Sequence, residues 1–141
     1  MRLLMNVNRG FKSFAESAVV GTALTLLSRV LISYIFLMSG YGKITGFSGT
    51  QAYMDSFGVP GSLLPLVIIA ELGGGLLILL GFQARLAALG LSIFCLVSAF
   101  LFHGADDMNQ QIHFMKNLAM AGGLLVLFRA GSGPCSFDKE D

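Results

Sequence analysis

Four apolar segments decide what this chain can become: Ala18 to Tyr41, Ser62 to Phe82, Leu86 to Phe102, and Ile112 to Phe128, the last interrupted by His113, Lys116 and Asn117. A helix needs about 20 residues to cross a hydrocarbon core of about 30 Å, with about 17 as the lower limit. Each segment meets that length. With 55% of its residues hydrophobic and 12% charged, the chain lacks the polar surface that a single soluble core would need. The expectation is an all-α membrane protein: one domain over 18–130, a four-transmembrane-helix bundle with spans at about 18–43, 62–82, 86–103 and 112–129.

The ends and turns set orientation. Residues 1–17 carry Arg2, Arg9 and Lys12 but no unbroken apolar block followed by a small-residue cleavage site, so they do not read as a removable signal. They read as a cytoplasmic lead-in whose Leu3, Leu4, Phe11 and Phe14 can rest on the membrane surface. Short loops rich in Lys and Arg stay in the cytoplasm. Four crossings place Arg2, Arg9, Lys12, Arg85, Arg129 and Lys139 on one side and leave Lys43 and Lys116 on the other. Both termini, including the 131–141 tail, are therefore expected in the cytoplasm. A net charge of +1 gives no reason to expect nucleic acid; the lipid bilayer is the partner that composition implies. Cys95 and Cys135 lie far apart in sequence, and no CxxC pair is present for redox or metal chemistry.

The connection from Gly46 to Gly61 has its own pattern. Ser48 followed by Gln51 fits a capping box, and Ala52, Tyr53 and Phe57 form one apolar side, so a short surface helix is expected in this first outer loop. It either fills space between two crossings or covers a pocket. Gly81 to Arg85 reads as a tight turn.

Lipid gives helices little hydrophobic reason to associate, so their contact faces favour small residues and polar residues that bond across. Steps of three and four find such stripes: Arg29, Ser33, Phe36, Gly40 and Lys43; Glu71, Gly74, Gly75 and Ile78; Ala88, Ser92, Cys95, Ala99 and His103; Lys116, Ala119 and Gly123, with Asn117 beside them. Gly40, Gly74, Gly75 and Gly123 are the candidate close-approach positions. At about 1.5 Å of rise per residue from Lys43 and His103 at the outer boundary, Lys116 lies about 6 Å in, Glu71 about 14 Å and Arg29 about 21 Å. An unpaired charge near mid-membrane costs about 2.5 to 3.5 kcal/mol on insertion scales. Glu71 is expected to be paired or protonated. It reads either as a structural tie to Arg29 or Lys116, or, with Lys116 and Asn117, as the polar floor of an outward-opening pocket for a small polar ligand such as a quinone head group.

His103, Asp106, Asp107 and His113 share one outer loop, but their spacing matches no familiar metal-ligand pattern and no metal is expected. His103 is the histidine expected to line the pocket. Gly73, Gly74 and Gly75 sit inside an apolar segment, without the strand-loop-helix context of a phosphate loop. No nucleophile or nucleotide fingerprint is visible.

Four segments taken together carry a resemblance: FLMSGYGKITGFSGTQAYMDSFGVP (36–60), ELGGGLLILLGFQAR (71–85), KNLAMAGGLLVL (116–127) and GPCSFD (133–138). From about Arg29 to Asp138 the chain resembles the DoxX family of small bacterial membrane proteins, in particular its YqjF-like inner-membrane members. Lys43, Glu71, Gly74, Arg85, Lys116 and Asn117 fall on that family's recurring polar and glycine positions. The resemblance implies a bacterial inner-membrane protein and links it to membrane oxidoreductase complexes and to thiol or oxidative stress. The function expected is an accessory or ligand-binding component of a quinone- or thiol-linked redox or stress system. It shows no recognisable redox centre of its own, so redox partner proteins or a bound quinone would supply the electrons. The alternatives are a small-solute or proton carrier, which would call for a homo-oligomer because four helices make a thin wall, and a structural or assembly subunit.

Overall fold

The computed structural model describes residues 1–104 and 107–139, apart from the side chain of Arg2. It is helical, with no strand among the described residues: α1 (Arg2–Ala15), α2 (Ala18–Thr45), α3 (Phe47–Ser56), α4 (Leu64–Leu80), α5 (Ala84–Phe102) and α6 (Met108–Ala130), with a 3-10 turn at Gly61–Leu63 leading into α4. Four of these, α2, α4 with its leading turn, α5 and α6, are long and apolar enough to cross a membrane. They run up, down, up and down. Sequence neighbours pack side by side, and α6 closes the ring against α2. One end of the bundle carries α3; the other carries the α4–α5 turn and the C-terminal tail.

The inward faces follow the small-residue stripes on three helices. Arg29, Ser33, Phe36 and Gly40 are buried on α2, Glu71, Gly75 and Ile78 on α4, and Ala88, Ser92, Cys95 and Ala99 on α5. A β-carbon on Gly74 would come within 2.9 Å of Leu91, and one on Gly75 within 3.1 Å of Leu37, so this glycine pair lets α4 approach α5 and α2 at once. Gly40 faces Leu72 and Gly123 faces Ile32 in the same way.

On α6 the stripe of Lys116, Ala119 and Gly123 is corrected by the structure: these three are exposed, and the buried face is Asn117, Ala121, Leu124 and Leu127. The reason is volume. Leu124 and Leu127 fill the core with Phe36, Ile78, Leu91 and Cys95, and turning α6 to bury Lys116 would expel them.

The short surface helix is found as α3, but its start differs from the capping-box reading. The cap position is Gly46, with no side-chain cap bond, and Ser48 lies inside the helix. Gln51 instead donates to the Gly61 carbonyl at 3.2 Å, and the Asp55 carboxylate accepts from the Gly61 N–H at 2.8 Å. Both bonds tie α3 to the entry of α4.

The tail end is closed by side chains from far apart in sequence. α4 stops at Gly81 in the left-handed conformation (φ 66°), and the Phe82 N–H reaches back to the Leu77 carbonyl. Gln83, the residue before α5, is also left-handed (φ 49°) and offers no side-chain cap. Asp138 supplies one from the tail, accepting from the N–H groups of Gln83 (2.8 Å) and Ala84 (3.0 Å).

Candidate functional site

Glu71 sits at the middle of α4, 4% exposed, and faces α2. Its ionic partner is neither Arg29 nor Lys116 but Lys43. The Lys43 ammonium lies 3.0 Å from Glu71 Oε1 and 2.9 Å from Oε2. Ser39 completes the group: its hydroxyl donates to Oε1 at 3.1 Å and accepts from Lys43 Nζ at 2.7 Å. Oε2 is buried and takes no aligned hydrogen bond; the ammonium contact is its close polar neighbour.

The direction of side chains on a helix explains the pairing. Each Cα–Cβ bond tilts toward the helix N-terminus. α2 rises toward α3, so Lys43 leans back down into the bundle, one turn toward Ser39, and reaches Glu71. Arg29, on the same helix, leans down as well and reaches the tail end. Its guanidinium donates to the carbonyls of Ile78 (3.1 Å), Leu79 (2.7 Å), Ser132 (2.9 Å) and Cys135 (2.8 Å). α6 descends from the α3 end, so Lys116 leans up and out. It meets His113 Nδ1 at 3.2 Å.

Above Glu71 lies a cavity of about 520 Å³. Glu71, Lys43 and Ser39 form part of its polar lining, with Asn117, Lys116, His103 and His113; Phe36, Phe94, Met120 and Val67 give it apolar walls. From α3 come Thr50, Tyr53 and Met54. Tyr53 packs against Phe102 at 5.9 Å between ring centroids, which fixes α3 over the end of α5. Of Arg29, Lys43, Glu71, His103, Lys116 and Asn117, the polar candidates from sequence, five line this one space, while Arg29 is at the other end of the bundle.

The rim is ordered by its own hydrogen bonds. His103 and His113 stack with centroids 5.1 Å apart. His103 Nδ1 pairs with the Gln110 side-chain oxygen at 2.7 Å, and the Asn117 amide donates to the His113 carbonyl at 3.0 Å. Asp107 caps the start of α6, and Asp106 lies outside the described residues. The sequence reading missed Ser39, Thr50, Phe94 and Ser98. Ser39 had a signal, its position one turn before Lys43; Thr50 is an ordinary residue of the 46–61 connection, and Phe94 and Ser98 of an apolar segment.

Chemically, the space offers a carboxylate, two ammonium groups, two imidazoles, an amide and hydroxyls between apolar walls. It suits a ligand with a small polar head and an apolar body.

Comparison with known proteins gives the chain its relatives. The DoxX family model matches residues 24–104, more than half of the chain. The inner membrane protein YqjF of Escherichia coli (strain K12) is 50% identical over 116 residues, 81% of this chain and 88% of that protein. The inner membrane protein YphA of the same organism is 35% identical over 144 residues, 96% of this chain and 100% of that protein. A shorter match, 36% identical over 62 residues, 44% of this chain and 46% of the other, is to a Bacillus subtilis (strain 168) protein named "Putative oxidoreductase CatD". No solved structure matches the chain. With a family match over more than half its length and two relatives aligned over most of theirs, the chain belongs to the DoxX family.

Proposed function

We propose that this multi-pass inner-membrane protein binds a quinone head group, or a similar small polar head on an apolar body, in the cavity at the α3 end. It does so as an accessory component of a quinone- or thiol-linked redox or stress system. The observation that carries this reading is the cavity itself: about 520 Å³, apolar in its walls, with Glu71, Lys43, Lys116 and Asn117 converging on it. A bundle that used Glu71 only to fix register would gain nothing from leaving such a volume beside the ion pair. The partial match to a protein named as an oxidoreductase lends the redox setting support.

In this reading the Lys43–Glu71 pair, held by Ser39, is the fixed polar floor, and Lys116 and His113 at the rim donate to the head's carbonyl oxygens, His113 through Nε2 because its Nδ1 accepts from Lys116. The apolar body lies between Phe94, Met120 and the roof from α3. Electrons come from a partner or from the quinone itself, and the protein's part is to bind and orient. Arg9, Lys12, Arg85, Arg129 and Lys139 favour a cytoplasmic tail end and cytoplasmic termini, which turns the cavity outward.

The test is retention and binding. Mass spectrometry of molecules kept through gentle purification, together with titration of decylubiquinone into protein in detergent, should show a bound quinone. Losing the carboxylate in Glu71→Gln should weaken binding about tenfold, the effect of one charge-assisted hydrogen bond. Protein that retains no quinone and does not respond to decylubiquinone ends this reading and leaves a structural subunit.

A further inference from the structure

Among the described residues, α1 is the one helix that packs on nothing but the helix that follows it. At 100° per residue its side chains separate into two faces. Leu3, Leu4, Val7, Phe11 and Phe14 occupy one arc, and Asn6, Asn8, Arg9, Lys12 and Ser13 the other. The apolar arc is left open: Leu3 is 77%, Leu4 73%, Phe11 70% and Phe14 63% exposed. Such a face, five large side chains in four turns, requires an apolar neighbour.

The junction with α2 shows where that neighbour lies. Only Glu16 and Ser17 separate α1 from a membrane-crossing helix, so α1 begins where the bilayer ends. Ser17 is extended (φ −63°, ψ 142°) and breaks the helix axis. Its hydroxyl caps back onto the Phe14 carbonyl at 2.8 Å, and the Ala15 carbonyl rests against Gly21, where a β-carbon would come within 3.1 Å. The break is thus built and packed, and it turns α1 off the axis of α2 rather than extending the span. The polar arc carries Arg9 and Lys12, whose charge complements acidic headgroups.

We infer that α1 lies in the headgroup layer of an anionic leaflet, its Leu3–Phe14 face about 5–10 Å into the acyl boundary and Arg9 and Lys12 toward the phosphates. This role is independent of the cavity. It makes α1 a lateral foot that fixes the height of α2, and hence of Lys43, in the membrane.

The chain contains no tryptophan, so single tryptophans report cleanly. Full-length Phe11→Trp and Ser13→Trp, two residues and most of a half-turn apart around the helix, are reconstituted in phosphatidylcholine vesicles with and without about one quarter phosphatidylglycerol. With acyl-brominated lipid, Phe11→Trp should be quenched at least about threefold more than Ser13→Trp, and aqueous iodide should reverse the order. Phosphatidylglycerol should strengthen the contrast, and combining Arg9→Gln with Lys12→Gln should remove that strengthening. Equal quenching of the two tryptophans overturns lipid docking. Shielding that grows with the protein-to-lipid ratio overturns it in favour of a second copy, and contrast indifferent to phosphatidylglycerol overturns the anionic preference.

Discussion

The two ends of the bundle both gather charge, and they use it differently. At the tail end two arginines are engaged by backbone. Arg29 answers four carbonyls from α4 and the tail, and Arg85 donates to those of Phe128 and Arg129 at 2.7 Å. Asp138 caps α5, so the GFQAR turn and the GPCSFD tail are two halves of one clasp. At the α3 end the charged groups meet one another's side chains around an open volume: Lys43 with Glu71, Lys116 with His113, His103 with Gln110. Carbonyls take four of the five Arg29 N–H donors, and the buried guanidinium lines no part of the cavity. The Lys43 ammonium, shared with one carboxylate, does line it.

Changes made at each end test that contrast. The largest stability loss should come from Arg29→Met, which strands buried carbonyls at about 1–3 kcal/mol each; thermal unfolding in detergent should fall well below that of any cavity variant, and protease should reach the tail. Glu71→Gln should cost about 1–2 kcal/mol, because Lys43 loses its counter-charge yet can turn toward water, while ligand binding drops. Asp138→Ala should cost about 1 kcal/mol through the lost cap, with binding unchanged. Lys116→Gln should move stability by less than about 0.5 kcal/mol, as an exposed side chain does, and still weaken binding. A Lys116→Gln melting shift as large as that of Arg29→Met would break the contrast. Asp138→Ala that impaired binding would show that the two ends are coupled.

Much of the architecture was legible because a bilayer leaves few choices. Length and apolarity mark the spans, and Tyr53 and Phe57 mark α3. The inward faces of α2, α4 and α5 follow their small residues, since only those allow close packing in lipid. On α6 the polar Lys116 gives a false inward signal, because Leu124 and Leu127 decide the rotation.

The partner of Glu71 was missed for a related reason. Rise along the Cα positions puts Lys43 at the boundary and leaves Arg29 and Lys116 as the candidates. A lysine reaches several ångströms along the direction its helix gives it, and that direction reverses between α2 and α6. The rule was available from sequence once up and down were assigned.

The sequence by itself determined that this chain enters a membrane, how many times it crosses, and that Glu71 must be paired or protonated there, because transfer of apolar surface and of charge depends on composition and depth. The tertiary structure decided which cation. It also decided that Arg29 belongs to the clasp, that the tail caps α5, and that Glu71, Lys43, Lys116, Asn117 and His103 share one cavity. Those outcomes depend on helix rotation and side-chain direction, which arise only when four helices are packed against one another.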